Sequence, residues 1–486
     1  MSDSNTNMPA SPNTGQPPSH NSRLIMLTLA FIIGGLGAFM SSAINVALPA
    51  INQQFQPNAV LLTWVVTSYL LSMAVFLIPG GRLADMIGLK KITICGVIVF
   101  LGGTILAIFS NSIIFLIVAR LIQGVGSALI SATMVAMLSM TFPVKERGRA
   151  MGIYVSSVYA WLAAGPLLGG FLTQHLGWVS LFYFTLPLGL VTLWLLLWKV
   201  KGDWALAHGE KFDYTGSLIF GLALIALIYG PSRLPSPAGV AVTVVGVLGI
   251  FLFLYWENRI ESPILHVRLF KSNRIFVFSN LASLITYSST FSISYFLSLY
   301  LQLIKGYSAE HAGIILVAQP LVQTLVSPVT GRLSDKLEAR LVASGGIILI
   351  LLGILSFVFL SDSTSLVQIV VTLVVLGIGY GLFVPTNMNA IMGAVTPKYY
   401  AVASSVTGTM RTIGQTLSMG IVLVVTAVVI GSVVLTGENH PGFLTSTRIA
   451  FSVAAVLCLA GVFASLARGQ KKTPPGVDRP PGGASD

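Results

Sequence analysis

The chain has 486 residues, 55% of them apolar and only 9% charged, with a mean hydropathy of +0.87. A soluble globular chain carries about 25% charged residues and a disordered one pairs low hydrophobicity with high charge, so both classes are excluded. The net charge of +12 sits in short loops between apolar segments, which fits membrane topology better than nucleic-acid binding.

The first segment, 1–22, is rich in Pro, Ser and Asn and lacks Lys and Arg. It reads as a disordered cytosolic tail, not a secretory signal. Fourteen apolar runs follow, near 24–49, 60–80, 92–110, 113–141, 150–172, 178–198, 214–232, 237–256, 275–303, 311–330, 342–360, 366–392, 402–431 and 446–467. A helix needs roughly 20 such residues to cross the hydrocarbon core. The runs do not alternate as barrel strands do, so helices are expected. A second polar tail, 469–486, follows the last run. With the N-terminus inside, 22 of the 27 Lys and Arg residues fall in cytosolic segments and three in outer ones. This asymmetry places both termini in the cytosol. Cys95 and Cys458 lie inside apolar runs and form neither a disulfide framework nor a thiolate metal site.

One loop string occurs twice. GRLADMIGLKK (Gly81 to Lys91) stands between spans 2 and 3, and GRLSDKLEAR (Gly331 to Arg340) between spans 10 and 11. Both open Gly-Arg-Leu-x-Asp, 250 residues apart. The repeat implies an all-α membrane protein of two homologous six-helix bundles, 23–199 and 275–468, with two helices and their linkers inserted at 200–274. Repeated bundles around a central site are a usual plan of secondary transporters. Gly81 and Gly331 are expected to let the backbone leave a helix. Asp85 and Asp335 are expected at helix N-termini, where a carboxylate accepts orphan N–H bonds and meets the positive dipole end. Such contacts between bundles would hold a cytosolic gate shut; local capping is the plainer alternative.

Both loops resemble the signature loop of the major facilitator superfamily. VARLIQGVGSAL (Val118 to Leu129) resembles its span-4 basic motif, and AAGPLLGG (Ala163 to Gly170) its span-5 antiporter motif. NVALPAI (Asn45 to Ile51) and RTIGQTLS (Arg411 to Ser418) resemble spans 1 and 13 of the fourteen-span drug/proton antiporters. The resemblance implies the superfamily fold, alternating access, a location in the plasma (inner) membrane and export of small amphipathic compounds by a functional monomer, with protons as a candidate coupling ion. It implies gating roles for Gly81, Arg82, Asp85, Gly88, Lys90, Gly331, Arg332, Asp335, Gly165, Pro166 and Gly169, and a coupling role for Arg120. The chain also departs from the pattern. Met40 stands where the subfamily usually carries a span-1 aspartate, Met86 and Leu89 replace usual basic residues, and Glu338 replaces a usual glycine.

Ionisable groups inside the bilayer are costly and are functional candidates by default. Only Arg120 and Arg411 qualify; the carboxylates and histidines lie in loops, tails or helix ends. Arg120 is expected to tie span 4 to carbonyls of span 1, and Arg411 to line a cavity or to snorkel. Asn280, Ser283, Tyr287, Thr290 and Ser294 fall on one face of span 9, as do Gly34, Gly37, Ser41 and Asn45 on span 1. The span-9 face is expected to line the cavity, helix packing being the alternative. Ser41, Ser42, Asn45, Gln123, Tyr159, Tyr287, Thr290, Asn387, Arg411 and Gln415 are the candidate substrate contacts. Trp64, Tyr69 and Trp161 are further aromatic candidates. Gly377, Gly379 and Gly381 lie inside an apolar helix with no preceding strand, so no nucleotide fingerprint is read there, and no Walker sequence, zinc signature or nucleophile elbow occurs. No enzymatic activity, cofactor or metal is expected. An uncoupled facilitator, or a transporter of an anionic or neutral metabolite, is the alternative to drug export, because the span-1 acid is missing. A non-transporting receptor is disfavoured, since both gate loops are retained.

Overall fold

The computed structural model describes residues 20–469, apart from 201, 206, 208, 261, 265–272, 335–337, 396–399 and 432–439. Spans 1 to 6 are His20–Phe55, Ala59–Ile87, Leu89–Ile108, Ile113–Thr141, Val144–Leu176 and Ser180–Trp198. Span 7 is Tyr214–Tyr229, continued by a 3-10 turn, and span 8 is Pro237–Glu257. Span 10 is Ala309–Leu316 and Ala318–Ser334; spans 11 to 14 are Ala339–Val358, Leu366–Gly393, Tyr400–Val429 and His440–Ala467. Side chains of Asn58, Ser112, Ser308 and Ser365 accept an amide in the first turn of spans 2, 4, 10 and 12, which fixes where those helices begin.

Thirteen of these stretches are long and apolar enough to cross a membrane. The fourteenth, span 9, is broken into Arg274–Thr290, Ser292–Leu299 and a π turn, Tyr300–Ile304. The break has a local cause. Hydroxyls of Ser288, Ser289 and Thr290 donate back to the carbonyls of Leu284, Ile285 and Thr286, a pattern that bends helices. Phe291 N–H still reaches the Tyr287 carbonyl, at 3.4 Å, and Ser292 N–H donates to Ser418 Oγ of span 13 at 3.0 Å.

The same packing scheme occurs twice. In the first bundle span 1 packs on 5 and 6, and span 3 on 4 and 6, while span 4 also packs on 2. In the second, span 9 packs on 13 and 14, span 11 on 12 and 14, and span 12 also on 10. Glycines set these approaches. A methyl at Gly124 would strike the Tyr69 carbonyl of span 2, and one at Gly126 the Phe100 amide of span 3. In span 12 a methyl at Gly377 would lie 2.6 Å from the Gln319 carbonyl of span 10, and one at Gly379 2.7 Å from the Gly346 carbonyl of span 11. Spans 7 and 8 pack on each other, and span 7 also reaches spans 2 and 13.

The first signature loop departs from expectation. Span 2 stays helical through Gly81 and Asp85, so Gly81 releases nothing and Asp85 sits in the last helical turn, not at an N-terminus. The chain turns at Gly88, whose φ of +132° L side chains rarely adopt. The start of span 3 is capped from the linker after span 6: Asp203 Oδ1 accepts from Lys90 N–H at 2.9 Å and the Trp204 carbonyl from Leu89 N–H. Glu210 of that linker pairs with Arg82, and the Lys90 ammonium donates to the Val200 carbonyl. Gly331 is likewise inside a helix. Asp335 lies outside the described residues, as do the side-chain surroundings of Arg332.

Two glycine substitutions test this packing. Gly126→Ala forces a methyl into the span-3 backbone and is expected to cost at least about 1–3 kcal/mol, read as loss of folded protein after heating in detergent. Gly102→Ala, with nothing within 4 Å, should stay within about 0.5 kcal/mol of wild type. Equal behaviour of the two would refute the close span 3–span 4 contact.

Candidate functional site

A cavity lies between the two bundles, and the space between packed helices is a common place for ligand sites. Span 1 supplies Ile33, Gly34, Gly37, Ala38 and Ser41, and span 2 supplies Tyr69, Leu70 and Met73. Span 5 supplies Tyr154, Val158, Tyr159 and Leu162, and span 4 supplies Ser131. The second bundle contributes Tyr287, Arg411 and Gln415. Tyr154, Val158 and Leu162 recur every four residues, as do Arg411 and Gln415, so each helix turns one stripe to the cavity. Gly34 and Gly37 are small because neighbours press on them: a Cβ at either would lie 2.6 Å from the hydroxyl of Ser157 or Ser127.

Arg411 is half-buried in this wall. It is surrounded by the phenols of Tyr154, Tyr159 and Tyr287. Arg411 is thus a cavity residue rather than a snorkelling one.

Arg120 lies outside the cavity, fully buried. Its Nε donates to the Val65 carbonyl of span 2 at 3.3 Å and an Nη to Gln123 Oε1 at 2.5 Å. Its guanidinium stacks over the Tyr69 ring, 4.2 Å from the centroid, a cation–π contact that gains strength when desolvated. The expected tie to span 1 is therefore a tie to span 2, and it reaches span 1 only indirectly: the Tyr69 hydroxyl lies 2.7 Å from Ser127 Oγ and 3.2 Å from the Gly37 carbonyl. One face of Tyr69 carries the cation and the residue also lines the cavity.

Several expected substrate contacts belong to packing instead. Gln123 is consumed by Arg120 and Thr104. Ser42 Oγ donates to the Leu162 carbonyl at 3.0 Å, the carbonyl left free because Pro166 has no N–H. Asn45 is buried at 1% exposure, and its carbonyl accepts from Ser298 of span 9. On span 9 only Tyr287 reaches the cavity. Asn280 accepts from Thr407 of span 13, Ser283 accepts from Asn387 of span 12, and Thr290 bonds to Tyr380. Trp161 donates to the Phe31 carbonyl and packs on Phe39, and Trp64 packs on Tyr229. Tyr154 and Ser131 are polar cavity residues outside the expected set, as are the apolar Ile33, Leu70, Met73, Val158 and Leu162; the signal for Tyr154 was the four-residue stripe with Val158 and Leu162.

At the end opposite the signature loop the bundles are tied together. Tyr295 and Thr63 share a hydrogen bond of 2.8 Å, Ser298 donates to the Asn45 carbonyl, and Gln302 to the Val46 carbonyl. Spans 5 and 10 close through His175–Glu310 at 3.0 Å and Gln174 with the Ala309 amide. Pro166 and Gly170 of span 5 face Gly313 and Ala309 of span 10 across a contact that no added methyl would fit.

Two repeated helical bundles around an interfacial cavity define a polytopic membrane transporter. The Major Facilitator Superfamily sequence profile matches residues 30–419; the chain belongs to that superfamily. It is 32% identical to the multidrug resistance protein Stp of Mycobacterium tuberculosis (strain CDC 1551 / Oshkosh), over 81% of this chain and 74% of that one. It is 28% identical to the riboflavin transporter RibZ of Clostridioides difficile (strain 630), over 80% of this chain and 86% of that one. Among solved structures, a bacterial homolog of the human lysosomal transporter Spinster, inward-facing and unoccupied, aligns with a TM-score of 0.63 at 18% identity, covering 93% of this chain and 98% of that one.

Cysteine accessibility tests the wall. In a background lacking Cys95 and Cys458, Val158→Cys and Gln415→Cys are expected to react with a small water-soluble maleimide. Ser283→Cys and Thr290→Cys are expected to react at least about tenfold more slowly, as buried positions open only by local unfolding. Faster labelling at Ser283 or Thr290 would show that span 9 is rotated.

Proposed function

We propose that the chain is a secondary transporter that exports small amphipathic compounds by alternating access, in the manner of multidrug efflux proteins. The observation that carries this reading is the interfacial cavity, apolar on most of its wall, with Arg411, Gln415 and four tyrosines converging in it. The contacts at the far end act as the outer gate and the signature-loop end faces the cytosol, with both termini there. This matches the 22-to-3 distribution of basic residues. On this reading the protein works as a monomer in the plasma membrane, as a six-helix bundle at 23–199 and another at 275–468 rocking on each other, with 200–274 between them. Arg120 couples span 4 to the cavity through Tyr69. Gly165, Pro166 and Gly169 let spans 1 and 5 move as one surface, and the signature loops with Arg82, Lys90 and Arg332 set the cytosolic gate.

A second reading is uncoupled transport. Met40 is fully buried where the related antiporters usually carry an acid, and among the described residues no carboxylate lines the cavity. Flux in proteoliposomes separates the two. Accumulation driven by an imposed pH gradient supports antiport, equilibrating flux independent of it supports a facilitator, and no flux of any amphipathic dye would end both readings. Asp85→Asn is expected to lower the maximal rate about tenfold while KM moves only a few-fold, the signature of a lost conformational step rather than a lost contact. A large rise in KM at normal rate would assign Asp85 to substrate binding.

A further inference from the structure

The cavity contains one side chain whose charge the protein leaves unanswered. Two other buried cations among the described residues are held by fixed protein groups and lie outside the cavity, each keeping one guanidinium nitrogen without a hydrogen bond: Arg120 by a carbonyl, an amide oxygen and a ring, and Arg468 by the carbonyl and hydroxyl of Ser465. Arg411 has only neutral phenols around it and stands in the cavity wall. Among the described residues none of the carboxylates reaches that wall. A guanidinium is a planar fork of five donors that fits a carboxylate in bidentate fashion. Tyr154, Tyr159 and Tyr287 add hydroxyl donors beside it, and Gln415, one turn along span 13, adds an amide. Across the cavity stand Ile33, Leu70, Met73 and Leu162, which can accept only an apolar body.

We infer that the transported class is the amphipathic organic monoanion: one carboxylate or equivalent acid group held by Arg411, on an apolar or aromatic body packed against spans 1, 2 and 5. The inference rests on the reading of this cavity as the transport site. The same guanidinium that holds an anion repels an organic cation in a site of low effective dielectric, where unscreened charges act most strongly. Selection therefore has an attractive and a repulsive arm. The phenols serve the same end. They can solvate the bound carboxylate as donors.

The test uses full-length protein in nanodiscs of neutral phosphatidylcholine, so that no anionic lipid headgroup competes for Arg411. Binding of three matched probes is measured by calorimetry at neutral pH: 1-naphthaleneacetic acid, its neutral amide, and 1-naphthylmethylamine. Wild type is expected to bind the acid at least about tenfold more tightly than the amide, and the amine most weakly, as expected for a charge-assisted bidentate pair. Arg411→Gln should remove the acid's advantage over the amide, and a size-exclusion profile and thermal unfolding like those of wild type show that the variant is folded. Arg411→Lys should keep the order of preference at reduced strength, and it carries the test if the glutamine variant does not fold. Equal affinity for acid and amine in wild type, or an acid preference that survives in Arg411→Gln, would overturn the charge selection while the cavity reading stands. If none of the three probes binds wild type, the cavity reading falls together with the selection.

Discussion

Everything in this fold turns on how closely span 5 can lie against its neighbours. Pro166 has no N–H, so the Leu162 carbonyl loses its helical partner. In a membrane an unsatisfied carbonyl is costly, and the Ser42 hydroxyl of span 1 restores the bond at 3.0 Å. That bond is short enough only because Gly165 and Gly169 have no side chains to hold span 1 away; a Cβ at either would sit within 2.8 Å of Ser42 or Ala43. The next glycine, Gly170, takes the Ala309 carbonyl of span 10 on the other side of the same helix. One proline and three glycines therefore join span 5 to both bundles. The stripe Tyr154, Val158 and Leu162, which ends one turn before Pro166, is held at the cavity by that junction.

The two membrane-embedded arginines show opposite solutions to one cost. Arg120 is removed from water altogether and is answered by fixed groups: a carbonyl, an amide oxygen and an aromatic face. Breaking any of these leaves a buried charge short of partners, which costs more than the bond itself contributes. Arg411 keeps part of its surface in the cavity and has only neutral phenols beside it. The first arrangement suits a rigid joint between helices and the second a group kept ready for an exchangeable partner. Tyr69 links them, since it stacks on Arg120 and lines the same cavity.

Most of the fold was legible in the sequence because its determinants are one-dimensional. Span length, the charge asymmetry of the loops and the Gly-Arg-Leu-x-Asp repeat need no knowledge of contacts. The glycines at Gly124 and Gly126 recur at Gly377 and Gly379 with the same pair of neighbours, a repeat that only the structure connects to packing. The site was legible in part. Of the expected substrate contacts, Ser41, Tyr159, Tyr287, Arg411 and Gln415 line the cavity. Gln123, Asn387, Ser42, Asn45 and Thr290 do not, because in a bilayer a polar side chain that packs two helices and one that faces a cavity leave the same periodic trace. Asn387 shows the ambiguity: its amide donates to the Ser279 carbonyl and Ser283 hydroxyl, a pairing with span 9 that no spacing rule distinguishes from a substrate contact. The signature loop failed for a different reason. A motif fixes residue types, and whether Gly81 or Gly88 makes the turn depends on the backbone angle each adopts.

The cation in the cavity also bears on the acid that is missing from span 1. A carrier that exports cations against an interior-negative potential needs a coupled driving ion, and where that ion is the proton it needs a group that titrates inside the membrane. Arg411 does not serve, since a guanidinium stays protonated at any accessible pH. An exporter of monoanions has no such requirement. Each anion leaving the cell moves down the electrical gradient, worth about 2.3 kcal/mol per 100 mV, so the membrane potential itself supplies the drive. For a substrate of that charge, a buried methionine at position 40 and a permanent cation at 411 form a consistent pair: the site holds the charge that has to move and dispenses with the one that would have to titrate.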